Sequence, residues 1–283
     1  QELMRFLSYI SNMTKNLDHI GLRSVVDNYD LFFIDLWGVI HNGINLYDHS
    51  IEALDNLTKA EKNFVLLTNA PRPNESVINF LKNMGLKKYF ENVFTSGEAA
   101  NKYLVSELNN KKFFHIGPHR DFDLFKNIEK NKVSNIENSD YFLCTGLFDD
   151  HENDLNYYKN LLSNYISKKM ICTNPDLIVD RGEVREYCAG SVAKTFEEIK
   201  GNVIYFGKPH PPVYNLSANV LNKKVLCIGD NLNTDIKGAN IQNFDSLLIT
   251  SGIHRKEILE VELNQVLKKY EVNIEYTQKF LKW

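Results

Sequence analysis

The chain is poor in every feature that would tie it to a disulfide framework, a membrane or a nucleic acid. Among its 283 residues are four cysteines, Cys144, Cys172, Cys188 and Cys227, and no two form a Cys-x-x-Cys pair. Three of them sit in or beside apolar runs, so buried free thiols in a reducing compartment are expected. No apolar stretch nears the roughly 20 residues that a membrane span needs, and the start lacks the basic-then-apolar pattern of a secretory signal. A cytoplasmic protein without membrane contact is expected. Basic surplus is absent too: 33 Lys and Arg stand against 36 Asp and Glu, a net charge of -3. The Lys-Lys pairs are scattered, which argues against a nucleic-acid partner. Internal repeats and low-complexity linkers are also lacking. What is present is an ordinary globular composition, 43% hydrophobic and 24% charged, enough to bury a full core unaided.

The chain is organised around Leu31-Phe32-Phe33-Ile34 and the Asp35-Leu36-Trp37-Gly38 that follows. Four large apolar residues in a row read as a strand buried on both faces of a parallel sheet. The strand closes on Asp35 and then breaks at Gly38, which places a carboxylate at the carboxyl edge, where open α/β sheets bind ligands. Alone, a strand-end Asp is equally a turn cap.

Before this strand, Leu3, Phe6, Leu7 and Ile10, then Leu17, Ile20, Leu22, Val25 and Val26, predict one or two helices. After it, a helix over 47–62 leads to a second buried strand, Phe64-Val65-Leu66-Leu67, ending in Thr68-Asn69-Ala70-Pro71-Arg72. Further helices are predicted over 75–84 and 98–108, with a short strand at 92–94. This alternation predicts a doubly wound parallel sheet. From about Asn109 the texture changes: strands at Phe113–Ile116, Tyr141–Cys144 and Met170–Cys172 are joined by Asn- and Lys-rich connections. A second α/β domain, inserted over 106–199, is expected, with 1–105 and 200–283 forming the first. The first domain resumes at Val203-Ile204-Tyr205-Phe206, followed by Gly207-Lys208-Pro209. Val225–Ile228 then runs into Gly229-Asp230 and, five residues on, Asp235.

The strand ends thus bear Asp35, Thr68, Lys208, Asp230 and, nearby, Asp235. Clustered carboxylates repel unless a cation sits among them, and hard oxygens suit Mg²⁺. A hydroxyl, turn amides and a lysine suit the anionic oxygens of a phosphoryl group.

This order, an Asp ending the first strand, Leu66-Leu67-Thr68-Asn69, Gly207-Lys208-Pro209 and Gly229-Asp230 through Thr234-Asp235, resembles the haloacid dehalogenase (HAD) superfamily. Thr95-Ser96-Gly97-Glu98-Ala99-Ala100, Thr173-Asn174-Pro175-Asp176, Ala189-Gly190 and Asp235-Ile236-Lys237-Gly238-Ala239 are similar to its branch of nitrophenyl phosphatases, pyridoxal phosphate phosphatase and NagD-like nucleotide phosphatases. The resemblance spans about 29–252. It implies a Rossmann-like core with an inserted α/β cap, and a Mg²⁺-dependent phosphoric monoester hydrolase acting on a small phosphorylated metabolite. Asp35 would be the nucleophile and Lys208 would neutralise it and the phosphate. Thr68, Asn69, Gly38 and Lys208 would bind the substrate. Asp35, the Trp37 carbonyl and Asp230 would bind the metal, with Asp235 supporting. Cap loops around 174–176 would close over the leaving group, and a homodimer through the cap is a further expectation.

One position departs from the family pattern. Trp37 stands where Asp-x-Asp-Gly places the proton-donating second Asp, and an indole does not exchange protons near neutral pH. General acid-base catalysis is worth about a hundred- to ten-thousand-fold. Four readings follow: a slow or restricted enzyme for good leaving groups such as acyl or aryl phosphates; a proton from His41, His119 or His210; attack of Asp35 on carbon; or a non-catalytic phosphate- or nucleotide-binding protein.

Overall fold

The structure is a computed structural model of the chain and describes residues 14–181 and 184–283. The helix expected around Leu3, Phe6, Leu7 and Ile10 lies outside the described residues. The described chain opens with β1 (Lys15–Asn16), two 3-10 turns (Leu22–Ser24 and Val26–Asn28), β2 (Leu31–Ile34), α1 (Asp48–Lys59) and β3 (Asn63–Thr68). Next come α2 (Asn74–Asn83), β4 (Val93–Thr95), α3 (Ser96–Glu107), β5 (Phe113–Ile116), β6 (Tyr141–Cys144), α4 (Leu155–Leu162) and β7 (Lys169–Cys172). The hairpin β8 (Ile178–Arg181) and β9 (Val184–Tyr187) precedes α5 (Ala189–Glu198), β10 (Asn202–Tyr205) and α6 (Pro211–Ser217). The last part holds β11 (Val225–Gly229), a π-helical turn (Leu232–Ile236), α7 (Lys237–Gln242), β12 (Asp245–Ile249), α8 (Arg255–Glu260), α9 (Leu263–Tyr270) and β13 (Tyr276–Gln278).

The chain divides into two compact units, one made of the chain up to Leu66 together with Val220–Trp283, the other of Leu67–Asn219. In the first, a parallel sheet runs in the order β1-β13-β12-β11-β2-β3. All four residues of β2 and all five of β11 are buried, as strands covered on both faces must be. The helix expected over Leu17 to Val26 is instead two short 3-10 turns. Gly21, at φ +72°, lets the chain turn where a Cβ would fall 1.9 Å from the Trp283 carbonyl oxygen, a close approach and a backbone conformation that favour glycine. Helix α1 turns Ser50, Ala53, Leu54 and Leu57 inward, the i, i+3, i+4, i+7 stripe of an amphipathic helix. Strand β13 was not foreseen.

The second unit contains a parallel sheet in the order β10-β7-β6-β5, with the antiparallel hairpin β8–β9. Its core gathers Phe142, Met170, Tyr158, Val192 and Phe196 among others between the sheet and helices α4 and α5. One expectation is corrected here. Val203-Ile204-Tyr205, read as the strand on which the first domain resumes, pairs along its length with Met170-Ile171-Cys172 of β7. Its apolar character marks a strand, while the choice of sheet is a long-range pairing that local pattern does not encode. Segments before and after the inserted sheet are bonded to it within this unit. Arg72 Nε donates to Asp121 Oδ1 (3.0 Å), and Ser96 Oγ donates to the Thr173 carbonyl (2.5 Å). Helix α3 is capped by Thr95, whose Oγ1 accepts from the Glu98 N–H at 2.8 Å, a cap worth about 1 kcal/mol.

Candidate active site

In the first unit the register Ile34↔Ile228 aligns β2 with β11, and the Asp35 N–H donates to the Ile228 carbonyl (2.9 Å). Both strands therefore release the chain at one edge, β2 into Asp35 and β11 into Asp230. The turn Leu232–Ile236 brings Asp235 back to the same place. Asp35, Asp230 and Asp235 are all buried and offer carboxylate oxygens within 4.8 Å of one another. Backbone amides orient two of them: Asp230 Oδ2 accepts from the Ile253 N–H (2.8 Å) and Asp235 Oδ2 from the Asn231 N–H (3.1 Å).

Glycines leave the room this cluster needs. A Cβ at Gly38 would lie 2.2 Å from Asp230 Oδ2, one at Gly252 2.0 Å from the same atom, and one at Gly229 2.1 Å from Asp235 Cγ. Gly38 also sits at φ +84°. Gly38, expected as a substrate contact, donates its N–H to the His41 carbonyl at 2.7 Å and leaves space beside Asp230. Three buried carboxylates at this spacing, all with hard oxygen donors, fit a small divalent cation such as Mg²⁺; Asp35, Asp230 and Asp235 are the residues that could hold it.

Trp37 is half-buried, with its ring against a turn. A Cβ at Gly43 would fall 2.5 Å from the indole, and the His41 ring centroid is 5.1 Å from that of Trp37. His41 is itself buried, and its Nδ1 accepts from the Gly43 N–H (2.9 Å). Burial lowers its pKa to about 4, so its acid form is scarce at neutral pH. His41 holds the turn under Trp37. Tyr47 and Arg255 were missed by sequence reasoning, since neither lies in a readable motif. Burial first, and then the Asp230 carboxylate, raises the Tyr47 pKa, while Arg255 opposes the rise; Tyr47 thus lies within electrostatic range of both Asp230 and Arg255.

In the second unit, which takes up the chain at Leu67, Thr68 as the last residue of β3 and Asn69 after it are both buried, as is Lys208 in the turn after β10. Thr68 Oγ1 accepts from the Ala70 N–H (3.2 Å), and Lys208 Nζ donates to the Leu67 carbonyl (2.8 Å). Asn69 holds the Lys208 backbone at both ends: its Oδ1 accepts from the Lys208 N–H (2.7 Å) and its Nδ2 donates to the Lys208 carbonyl (3.0 Å). His210 stacks on Tyr205 with centroids 5.0 Å apart, and burial lowers its pKa. The His119 N–H meets Asp149 Oδ2 at 3.4 Å. The structure therefore brings Asp35, Trp37, Gly38, Asp230 and Asp235 together in one unit, and Thr68, Asn69 and Lys208 together in the other.

Comparison with known proteins decides the family. The model of haloacid dehalogenase-like hydrolases matches residues 32–129, and a second model, of HAD-hydrolase-like proteins, matches 205–270. A haloacid dehalogenase-like hydrolase from Brucella suis superposes with a TM-score of 0.80 at 28% identity, covering 92% of this chain and 98% of that one. The chain is a member of the HAD-like hydrolases. Within the superfamily it joins the branch of NagD-like proteins and nitrophenylphosphatases. The 4-nitrophenylphosphatase of Thermotoga maritima superposes with a TM-score of 0.69 at 25% identity, covering 91% of this chain and 96% of that one. Phosphoglycolate phosphatase 1A of Arabidopsis thaliana, a chloroplastic protein, is 24% identical over 271 residues, 86% of this chain and 74% of its own length. No helix among the described residues of this HAD-like hydrolase is long and apolar enough to cross a membrane.

Proposed function

We propose that this HAD-like hydrolase cleaves phosphate from a small phosphorylated metabolite with a good leaving group, using Asp35 as nucleophile. The observation that carries this reading is the convergence of Asp35, Asp230 and Asp235 at the ends of β2 and β11. An Asp35 oxygen attacks phosphorus, a new P–O bond forms, and the bond to the leaving group breaks with its electron pair departing on the leaving oxygen. Water then attacks the same phosphorus, the aspartyl P–O bond breaks with its electron pair returning to the Asp35 carboxylate, and inorganic phosphate leaves carrying both protons of the water. Thr68 and the backbone N–H of Asn69 hold phosphoryl oxygens, and Lys208 offsets the charge of Asp35 and of the phosphoryl group. Mg²⁺, held by Asp35, the Trp37 carbonyl and Asp230 with Asp235 in support, supplies charge neutralisation when bound.

Trp37 sets the leaving group. It leaves no carboxyl at that position to protonate an alkoxide, and His41 at neutral pH does not replace it, so substrates whose leaving oxygen departs as a stable anion are favoured. Acyl and aryl phosphates meet that condition, and the name of the Thermotoga relative fits the aryl class. The same missing acid favours a second reading, a phosphate- or nucleotide-binding protein on this fold that no longer turns over. The four cysteines, all free and buried, suit the reducing cytoplasm that the first reading assumes, and a homodimer through the inserted domain belongs to the same proposal.

The test is Mg²⁺-dependent phosphate release from acetyl phosphate, 4-nitrophenyl phosphate and glycerol phosphate, with Asp35→Asn beside the native chain. Release from the first two, abolished in Asp35→Asn, is the expected result. No release from any of the three moves the assignment to the binding protein.

A further inference from the structure

The three hydrogen bonds of the Asn69 amide tie Lys208 to the inserted sheet. Two clasp the Lys208 backbone, as described, and the second Nδ2 hydrogen goes to Asp176 Oδ1 (3.2 Å), on the connection from β7 to β8. Asn69 and Lys208 are buried at 3% and 4% exposure. Gly207 adjoins the same amide, and a Cβ there would lie 2.6 Å from Asn69 Oδ1 and 2.7 Å from Pro175 Cδ. The amide therefore has little room to shift sideways.

Asp176 is in turn fixed by its own sheet. Its N–H donates to Asn174 Oδ1 (3.0 Å), and its carbonyl accepts from the Gly190 N–H at the start of α5 (3.1 Å). A Cβ on Gly190 would fall 2.5 Å from that carbonyl oxygen. The next carbonyl, of Leu177, accepts from the Cys188 N–H (2.9 Å) and from Ser191 Oγ (2.6 Å). The place of the Asp176 carboxylate thus follows the inserted sheet and helix α5, and a carboxylate oxygen, as acceptor, holds the Asn69 NH₂ hydrogen that Lys208 does not take.

We propose that Asp176 is a positioning residue for Lys208, acting through Asn69, so that the location of Lys208 depends on the inserted sheet. The proposal rests on the role given to Lys208 above. Loosening one bond in such a chain moves the lysine by a fraction of an ångström, which in an active site costs turnover more than affinity.

The experiment measures phosphate release from acetyl phosphate and 4-nitrophenyl phosphate in MgCl₂, together with the rate of reductive methylation of Lys208 mapped by mass spectrometry. Asp176→Ala is expected to lower kcat about tenfold with KM changed less than about twofold. Asp176→Asn, which keeps an acceptor oxygen, is expected to recover kcat to within about threefold of the native value. In an Asn69→Ala background, Asp176→Ala should cost nothing further, because its route to Lys208 is gone. Lys208 should be protected from methylation in the native chain and in Asp176→Asn, and exposed severalfold more in Asp176→Ala. If Asp176→Ala does not fold, Asp176→Ser, too short to reach Asn69, takes its place. Native kcat and native protection in Asp176→Ala overturn the proposal, as does an equal loss in Asp176→Asn or an additive loss in the Asn69→Ala background. Failure of the native chain to release phosphate, with the methylation pattern as expected, overturns the phosphatase reading and leaves the positioning role standing.

Discussion

The chain contains two parallel sheets built from similar apolar strands, and they differ in what stands at their carboxyl ends. In the first unit, β2 and β11 end in Asp35 and Asp230, whose charges converge with that of Asp235. In the inserted sheet, β5, β6 and β7 run into Gly117, Thr145 and Thr173, and these ends close on themselves. Thr145 Oγ1 bonds His115 Nε2 (2.8 Å), and Thr173 Oγ1 donates to the Cys144 carbonyl (3.2 Å). The carboxylate beside Thr145, that of Asp121, meets Arg72, whereas three like charges call for a cation or a ligand. The comparison teaches that a strand's end, more than the sheet's architecture, carries the chemistry.

The sharpest way to break this comparison is to remove the charge at one strand end. Asp35→Asn should lower phosphate release by at least about a thousandfold while the melting temperature stays within a few degrees; stopped assays and a thermal melt on the same sample check both. On the other sheet the large effect should be structural. Phe142→Ala, in the centre of the inserted core, should cost about 3 to 5 kcal/mol by denaturant unfolding. Trp37→Asp should raise turnover of glycerol phosphate about a hundredfold and that of acetyl phosphate much less; equal gains on both would remove the leaving-group argument. Gly252→Ala, whose Cβ would press on Asp230, should weaken apparent Mg²⁺ affinity about tenfold, as disturbed ligand orientation does, measured by metal titration of activity.

A comparably small effect, on pH dependence, concerns His115 in the inserted sheet. Burial, with lesser contributions from Lys132 and His119, lowers its pKa to about 3. Because the folded value lies below that of the unfolded chain, the neutral ring favours folding above about pH 6.5. That contribution is lost as pH falls from 6.5 towards 3, where the unfolded state takes up a proton that the folded state refuses. His115→Gln should flatten unfolding free energy against pH in that window by on the order of 1 to 3 kcal/mol. An unchanged pH profile would show that His115 does not set this slope.

Much of the fold could be read from single elements. Strands β2, β3, β5, β6, β7 and β11 announce themselves as apolar runs bounded by polar turns, because a strand covered on both faces needs no alternation. Less legible were β13, a three-residue strand over Tyr276-Thr277-Gln278 with no apolar run, and the hairpin β8–β9, none of whose strand residues is buried. Helix α5 passed unread although Ala189, Val192, Ala193 and Phe196 form its buried stripe, since its Gly-Ser start reads locally as loop. At the site, Asp35, Asp230 and Asp235 were legible as carboxylates after strands. Tyr47 and Arg255 were not, because an electrostatic neighbour distant in sequence leaves no local pattern. That the His41 ring is buried, which lowers its pKa, became clear only with the structure.

The sequence by itself determined the apolar strands, their order along the chain, and the residues that stand at their ends, because period, turn chemistry and strand length are local properties. It also determined that Trp37 takes a position where a carboxyl is the family pattern. Only the tertiary structure decided that Ile34 pairs with Ile228, which brings Asp35 to Asp230. The tertiary structure likewise put β10 into the inserted sheet, and closed the hydrogen bond from Asn69 to Asp176 across 107 residues. Register between distant strands and bonds between distant loops are set by the summed burial and hydrogen bonding of the whole chain, and no short window of residues contains that sum.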